Sequence, residues 1–268
     1  MRGTGKADVF AMLAHPVGHA KSPGMFNALF EAKGLDSLMV PVTCAPEGFE
    51  ALWGGLTAME NLRGIIVSIP YKGRVVEKAE RAHPRAARVG AANVLRRLPS
   101  GGWEADNFDG LGFVLGMRAA GHVIAGTKVL QVGGGGGGSS IAYCLAEEGA
   151  AELTISDIDQ ARAEALAAGV RAAFPACRVR AGSNDPTGMD LVVNATPVGM
   201  KPTDPLPLPV EGLRAGMTVV DIIMEPRETR LLAEAKARGC MVQPGQPMMD
   251  CQMQAIADFF DVERKHRG

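Results

Sequence analysis

Residues Thr127–Gly149 read TKVLQVGGGGGGSSIAYCLAEEG, and this stretch decides the fold. Six consecutive glycines would form a flexible linker if polar, structureless segments flanked them. Here the preceding segment has the composition of a buried strand, and the following one carries Ile141 and Leu145 at helical spacing. A strand, a glycine turn and a helix are typical of the dinucleotide-binding fingerprint, in which the helix start holds a pyrophosphate. The glycines expected to contact this cofactor are Gly133, Gly135, Gly136, Gly137 and Gly138.

An acidic residue at the end of the next predicted strand indicates which dinucleotide binds. AELTISD ends at Asp157, which lies 19 residues after Gly138. A carboxylate about 20 residues beyond the glycines accepts hydrogen bonds from the adenosine ribose and repels a 2′-phosphate. We therefore expect NAD to be preferred, with NADP as the alternative. A competing interpretation is that Asp157 or Asp159 only caps the helix that begins near Gln160.

Strand-like and helix-like segments alternate along almost the whole chain, which predicts an α/β fold with parallel sheets. After residue 108, four short V/I/L-rich segments are each followed by a connection long enough for a crossover, so this part is expected to be a Rossmann-type, doubly wound domain. Before it, ANVLRR and GWEADN predict an antiparallel pair. Ser22 is expected to cap a helix that stops at Gly34, and KGRVVEKAERA predicts another helix. The predicted domains are residues 1–107, completed by a C-terminal helix at 243–268, and residues 108–242.

Composition excludes several classes of function. The 268 residues contain 28 Lys and Arg and 29 Asp and Glu, so the formal net charge is −1. A near-neutral chain gives no electrostatic reason to expect nucleic acid or a membrane surface as a partner. No apolar run approaches the ~20 residues needed to cross a bilayer. The five cysteines and five histidines show no metal-ligand spacing, and His19 is interpreted as structural. We expect a cytoplasmic protein without a metal.

Four polar residues fit their predicted surroundings poorly. Lys72 opens a helix, where a cation opposes the helix dipole, and its alternative interpretation is a solvated surface lysine. Asp109 precedes a glycine-rich helix, and its alternative interpretation is that it serves as the N-cap of that helix. Gln252 lies on an apolar stripe and needs a partner, which could be a ligand or a backbone carbonyl. Asn93 could be no more than a polar residue at a strand end.

These segments together resemble the shikimate dehydrogenase family over nearly the whole chain. The matching blocks, in order, are HPVGHAKSP, GIIVSIPYK, GAANVL, NFDGLGF, the glycine loop, NATPVGM, DIIMEPRETRLL and GQPMMDCQ. The resemblance implies an N-terminal substrate-binding domain completed by the last helix, followed by an NAD(P)-binding Rossmann domain. It also implies an NAD(P)-linked interconversion of a ring hydroxyl and a ketone on shikimate, quinate or a related cyclic hydroxy acid. The expected partner is therefore a small-molecule substrate, bound by a monomer or a homodimer.

The resemblance also carries residue roles onto this sequence. The family's catalytic pair falls on Lys72 and Asp109, where the lysine is expected to shuttle the hydroxyl proton. The substrate-binding positions are Ser22, Ser68, Asn93, Asn107 and Gln252. The positions beside the nicotinamide are Asn194, Thr196 and Met248.

Departures from the family cluster at the substrate positions and leave the substrate open. A carboxylate-binding Ser of the family is Ala20 here, an Asn is Ile66, and a Tyr is Met224. Each change removes a hydrogen-bonding group, and quinate or an aminated analogue is as consistent with the residues as shikimate. Two other interpretations remain: a dehydrogenase of similar build acting on a folate carrier, and a non-catalytic NAD- or metabolite-sensing module of the same fold.

Overall fold

The computed structural model describes residues 3–18 and 20–262. His19 and the last six residues of the predicted C-terminal helix therefore lie outside the described part of the chain. The chain divides into two compact units, Met1–Phe108 with Met253–Gly268, and Asp109–Gln252. The first border lies one residue beyond the predicted one, and the second falls inside the last helix rather than before it. No helix among the described residues is long and apolar enough to cross a membrane.

The first unit contains a six-stranded mixed sheet in the order β2-β1-β3-β5-β6-β4. Its strands are β1 (Asp8–Ala14), β2 (Ser37–Thr43), β3 (Leu62–Val67), β4 (Arg81–Ala82), β5 (Val94–Arg97) and β6 (Trp103–Asp106). Its helices are α1 (Ser22–Ala32), α2 (Phe49–Thr57), α3 (Lys72–Val76) and α4 (Pro84–Val89). β1 pairs in parallel with β2 and β3, whereas β5 and β6 form the predicted antiparallel pair, which is confirmed.

The second unit contains a six-stranded parallel sheet in the order β12-β11-β10-β7-β8-β9. Its strands are β7 (Lys128–Val132), β8 (Glu152–Ser156), β9 (Arg178–Ala181), β10 (Leu191–Asn194), β11 (Thr218–Asp221) and β12 (Met241–Gln243). Its helices are α5 (Asp109–Ala119), α6 (Gly136–Glu147), α7 (Gln160–Ala173), α8 (Arg230–Ala237) and the first part of α9 (Gln246–Phe260). Counted from β7, this is the doubly wound order 6-5-4-1-2-3, so the predicted Rossmann-type fold is confirmed.

Aromatic packing explains why the border of the first unit falls inside α9. The ring of Phe260 lies 5.1 Å from that of Phe10 and 5.7 Å from that of Phe26, measured between centroids. All three side chains are buried. Burial of large aromatic side chains contributes strongly to stability, so this contact fixes the last turns of α9 on the sheet of the first unit.

Two local predictions in the first unit were wrong. Helix α1 begins at Ser22 itself, because Met25 N–H already donates to Lys21 O, and the helix cap is Lys21. The Ser22 side chain is buried and does not cap the helix. The helix predicted from Lys72 ends at Val76, because the chain beyond it pairs with the sheet edge as β4.

Candidate functional site

The glycine loop lies where the strand order of the second unit reverses. β7 and β10 are neighbours, and the loops that follow them meet at their carboxyl ends. Gly133 follows β7 with φ +103°, and a Cβ there would lie 2.8 Å from Ala195 O in the loop after β10. Only glycine fits this position. In open parallel sheets, ligands bind in the crevice at such a switch point.

The backbone of the loop is suited to a pyrophosphate. Helix α6 begins at Gly136 without a side-chain cap, so the N–H groups of its first turn have no partner within the helix. A Cβ at Gly135 or Gly136 would meet nothing within 4 Å, and one at Gly137 would meet only Ile222 at 4.0 Å. Open space above N–H groups that have no partner within the helix, at its positive end, is what an anion requires. The residues present therefore fit a dinucleotide.

Asp157 is held in a fixed orientation beside the loop. Its two carboxylate oxygens accept hydrogen bonds from Gly134 N–H, at 2.7 Å, and from Asp159 N–H, at 2.9 Å. Burial works to raise the pKa of Asp157, but these bonds and the nearby Arg162 outweigh it, so the pKa lies below its ordinary value. The helix-capping role falls to Asp159, whose side chain accepts from Arg162 N–H.

Arg162 is a residue near this site that the sequence analysis missed. It lies in the first turn of α7, with Nη1 3.6 Å from Asp157 Oδ1 and Nη2 3.2 Å from Asp159 Oδ2. In a helix that begins at Gln160, Arg162 lies three residues after the cap Asp159, and residues at this spacing are neighbours. This spacing is the sequence signal that could have identified Arg162.

The loop after β10 is built on Asn194. This side chain is fully buried, donates to Val198 O and Asp221 Oδ1, and accepts from the N–H and hydroxyl groups of Thr196. Asn194 therefore contacts the loop itself and the end of β11, and it orients the half-buried side chain of Thr196. Met248, the third residue predicted beside the nicotinamide, is half-buried in α9 and packs against the core of the second unit.

Asp221 is a second residue that the sequence analysis missed. It ends β11, is fully buried, and accepts from Thr229 Oγ1 at 2.7 Å, Ile223 N–H and Asn194 Nδ2. Burial raises the pKa of Asp221, although these three hydrogen bonds oppose the change. Its carboxylate ties β11, α8 and the Asn194 loop together.

Asp109 and Gln252 come together in the second unit. Gln252 Nε2 donates to Asp109 Oδ1 at 2.7 Å, and both residues are buried. The close approach depends on Gly112 in α5, where a Cβ would lie 2.6 Å from the Cβ of Gln252. A glycine one turn after Asp109 therefore lets α9 reach the start of α5.

The other predicted site residues lie in the first unit, and backbone hydrogen bonds connect the segments that carry most of them. Ser68 directly follows β3, and Lys72 is the half-buried first residue of α3. Lys72 O accepts from Ala92 N–H at 2.9 Å, and Asn93 O accepts from Val67 N–H at 2.7 Å. The ends of β3 and the start of β5 thus bring Ser68, Lys72 and Asn93 to one region. Ser22 lies at the start of α1.

Asn93 and Asn107 are buried at the junction of β5 and β6. Asn93 Oδ1 accepts from Phe108 N–H at 2.9 Å, and Asn107 Nδ2 donates to Ala91 O at 3.0 Å. The Asn93 side chain thus bonds the segment that follows β6, and the Asn107 side chain bonds the segment that precedes β5. This fixes the direction of both amides, as a substrate-binding role requires.

An ion pair between the half-buried Arg85 and the buried Asp106 supports these amides and was also missed. Asp106 is 1% exposed and accepts from Arg85 Nε at 3.2 Å and Nη2 at 2.5 Å. Asp106 Oδ1 also accepts from Asn107 N–H at 2.7 Å, and Asp106 O accepts from Asn93 N–H at 3.1 Å. The pair joins α4 to the strand that carries Asn107. The two charges lie 21 residues apart, and no local pattern links them.

The three departures from the family pattern take different positions. Ile66 is buried in β3 and points to the opposite face of the sheet from Ile65 and Val67, as strand alternation requires. Ala20 precedes α1 and Met224 follows β11, and both are half-buried. Within residues 3–18 and 20–262, no group of three or more His, Cys, Asp or Glu side chains is arranged to hold a metal ion.

Comparison with known proteins places these observations in a family. Residues 12–95 match the family model described as the shikimate dehydrogenase substrate binding domain. The shikimate dehydrogenase (NADP(+)) of Rubrobacter xylanophilus is 36% identical over 252 residues, which cover 91% of this chain and 87% of that protein.

Two solved structures extend the likeness over both units. Shikimate 5-dehydrogenase from Listeria monocytogenes, in complex with shikimate and NAD, superimposes with a TM-score of 0.89 at 29% identity, covering 98% of this chain and 93% of the other. Quinate dehydrogenase from Corynebacterium glutamicum, in complex with NAD, gives 0.85 at 27% identity, covering 96% and 93%. Given the identity to the Rubrobacter protein over nearly its whole length, this chain belongs to the shikimate dehydrogenase family.

Proposed function

We propose that this protein is an NAD(P)-dependent oxidoreductase that interconverts a ring hydroxyl and a ketone on shikimate, quinate or a related cyclic hydroxy acid. The observation that carries the proposal is the 36% identity to a shikimate dehydrogenase over 91% of the chain. The polar residues at the matching positions support it, because Lys72, Asp109 and Gln252 are all present and the last two are buried and hydrogen-bonded to each other.

The second unit supplies the cofactor site in this proposal. The first turn of α6 would hold the pyrophosphate, Asp157 the adenosine ribose, and the loop carrying Asn194 and Thr196 would lie beside the nicotinamide. The cofactor supplies the hydride acceptor when the alcohol is oxidised. NAD is the dinucleotide we propose as preferred, because Asp157 is a carboxylate oriented by hydrogen bonds from Gly134 N–H and Asp159 N–H.

The first unit supplies the substrate groups. Asn93 and Asn107, with amides oriented by the strands, would donate to substrate hydroxyl groups, and Ser22 and Ser68 would contact the carboxylate end. Lys72 would bind the reacting oxygen, take its proton as the hydride leaves, and return a proton in the reverse reaction. Asp109, with one oxygen already held by Gln252, would accept a hydrogen bond from the substrate.

Turnover on a panel of ring acids tests the proposal. Purified protein is incubated with shikimate, quinate and an aminated analogue that keeps the reacting hydroxyl, each with NAD and with NADP, and the reduced cofactor is followed at its absorbance band. The expected result is turnover of at least one acid, with kcat lower by about 10²-fold or more in Lys72→Met. Dinucleotide binding without turnover of any acid would instead indicate the non-catalytic sensing module.

A further inference from the structure

The glycine loop has a buried polar anchor in β7. Gln131 is 0% exposed, and its neighbours in the sheet are Ile155 of β8 and Val193 of β10, which are equally buried. A polar side chain in such an apolar row needs hydrogen-bond partners. Gln131 finds them in the loop that follows its own strand.

A single amide group joins the two ends of the loop. Gln131 Nε2 donates to Gly133 O and to Gly138 O, both at 2.8 Å. A Cβ at Gly138 would lie 2.2 Å from Gly133 O and 3.2 Å from Gln131 Nε2. The close contact therefore requires glycine at position 138. The first and last of the six glycines are held at a fixed separation by one side chain from beneath.

The oxygen of the Gln131 amide does not contribute to stability at this position. Gln131 Oε1 has no hydrogen-bond partner among the described residues, and an unpaired buried acceptor is destabilising. An apolar side chain of the same length would fill the row without that cost. The two bonds to the loop are what this residue contributes.

We infer that Gln131 is a positioning residue for the cofactor, which closes the glycine loop into its binding shape before the dinucleotide arrives. The inference rests on the proposed function. Glycine loses more backbone freedom on ordering than any other residue, so an unsupported run of six would be ordered only when the cofactor binds. A loop closed in advance avoids that cost, and preorganisation of this kind appears as tighter binding.

Gln243 offers a matched control in the same row of the sheet. Gln131 pairs with Val193, Val193 with Val220, and Val220 with Gln243, so the two glutamines share one face. Gln243 is 2% exposed, and neither atom of its amide has a partner among the described residues. Gln131→Met and Gln243→Met are therefore the same chemical change at equal burial, one with and one without contact to the loop.

The test compares the two variants with the wild type by NADH and NADPH fluorescence titration and by hydrogen exchange of residues 133–139 in the cofactor-free protein. We expect Gln131→Met to raise the Kd for the preferred dinucleotide about tenfold through loss of two hydrogen bonds. Exchange in the loop should accelerate while the apo melting temperature and the KM for the ring acid stay unchanged. Gln243→Met should leave the Kd and the loop exchange at wild-type values.

Other outcomes separate the inference from the proposed function. Wild-type Kd and loop exchange in Gln131→Met would overturn the inference while leaving the proposed function intact. Failure of the wild type to bind either dinucleotide would overturn both the proposed function and the role toward the cofactor. If Gln131→Met does not fold, Gln131→Asn replaces it, because Asn keeps an amide that is too short to reach both carbonyls. The same tenfold rise in Kd is then expected. An unchanged Kd in Gln131→Asn would overturn the inference.

Discussion

The side-chain amide of Gln252 donates a 2.7 Å hydrogen bond to a carboxylate oxygen of Asp109, with both groups buried. This bond orients the carboxylate that we propose as part of the catalytic pair. We expect Gln252→Met to lower kcat/KM for the ring acid about 10- to 100-fold, since a hydrogen bond to a charged group is lost. Steady-state kinetics measure the effect. Gln254→Met is the control, because Gln254 is exposed on the same helix and its side chain donates to Asp258 rather than to a predicted site residue. Equal effects of the two changes would contradict the role.

Lys72 is the proposed proton shuttle. Lys72→Met removes the ammonium while keeping much of the side chain, and we expect kcat to fall about 10²-fold or more, as for loss of general acid–base help. Single-turnover kinetics at saturating cofactor measure the chemical step. Lys78→Met is the control, because Lys78 is an exposed residue just beyond the same helix that pairs with Glu50 at 2.8 Å. A normal kcat in Lys72→Met would remove the residue from the mechanism.

The Arg85–Asp106 pair should contribute to both stability and substrate binding. Arg85→Met removes two hydrogen bonds to the buried Asp106 carboxylate, so we expect a loss of about 2 kcal/mol in the free energy of unfolding. The KM for the ring acid should rise as well, since Asp106 fixes the backbone of Asn107. Urea denaturation and steady-state kinetics measure the two effects.

The control for this pair is Arg63→Met. The Arg63–Asp8 bond is 2.7 Å long, but both side chains are 30% exposed, so its loss should cost below about 1 kcal/mol and leave KM unchanged. Equal losses in the free energy of unfolding for Arg85→Met and Arg63→Met would show that the burial of Asp106 does not make its ion pair more important for stability.

The fold was predictable wherever the signal was local. A strand, a glycine turn and a helix occur consecutively in TKVLQVGGGGGGSSIAYC, and repeated strand–helix units permit few sheet topologies. The end of α3 at Val76 was not predictable, because it depends on pairing between β4 and β6 across a sequence gap. The start of α1 at Ser22 differs by one residue from the pattern, since the helix is capped by Lys21, which has no capping side chain.

The candidate site was likewise predictable only where local motifs mark its residues. Family blocks and spacing single out Lys72, Asp109 and Asp157 in the sequence, and their roles stay predictions. Gln131 and Asp221 were missed because a buried polar residue in a V/I-rich strand has no local signature. Their partners are set by the approach of other segments in three dimensions, as Thr229, the N-cap of α8, approaches Asp221.

The stability of the Asp221 network should depend on pH. Because burial raises the pKa of Asp221 above its unfolded value of 3.8, its favourable contribution is present below that pH and lost as pH rises through the folded-state pKa. Thr229 Oγ1 opposes the change by donating to Asp221. Thr229→Val should therefore destabilise the protein by about 2 kcal/mol at pH 8 and by less at pH 4.5. Urea denaturation at both values measures this, and an equal loss at the two would contradict it.

Cofactor choice should depend on the balance between Asp157 and Arg162. Asp157→Ser removes the charge that repels a 2′-phosphate and leaves the guanidinium, now 3.6 Å from Asp157 Oδ1, to bind it. We expect the ratio of kcat/KM with NADP to that with NAD to rise about 10- to 100-fold. Steady-state kinetics with both cofactors measure the ratio.

Two further variants separate the contributions of charge and position. Asp159→Ser removes a carboxylate that also faces Arg162 but keeps a side-chain oxygen that can cap α7, so we expect little change in stability or in the cofactor ratio. Adding Arg162→Met to Asp157→Ser should cancel most of the rise in the NADP-to-NAD ratio of kcat/KM. The reason is that the Arg162 guanidinium is the group we expect to bind the 2′-phosphate once the carboxylate is gone. A wild type that already turns over NADP more efficiently than NAD would show that Arg162, rather than Asp157, decides the preference.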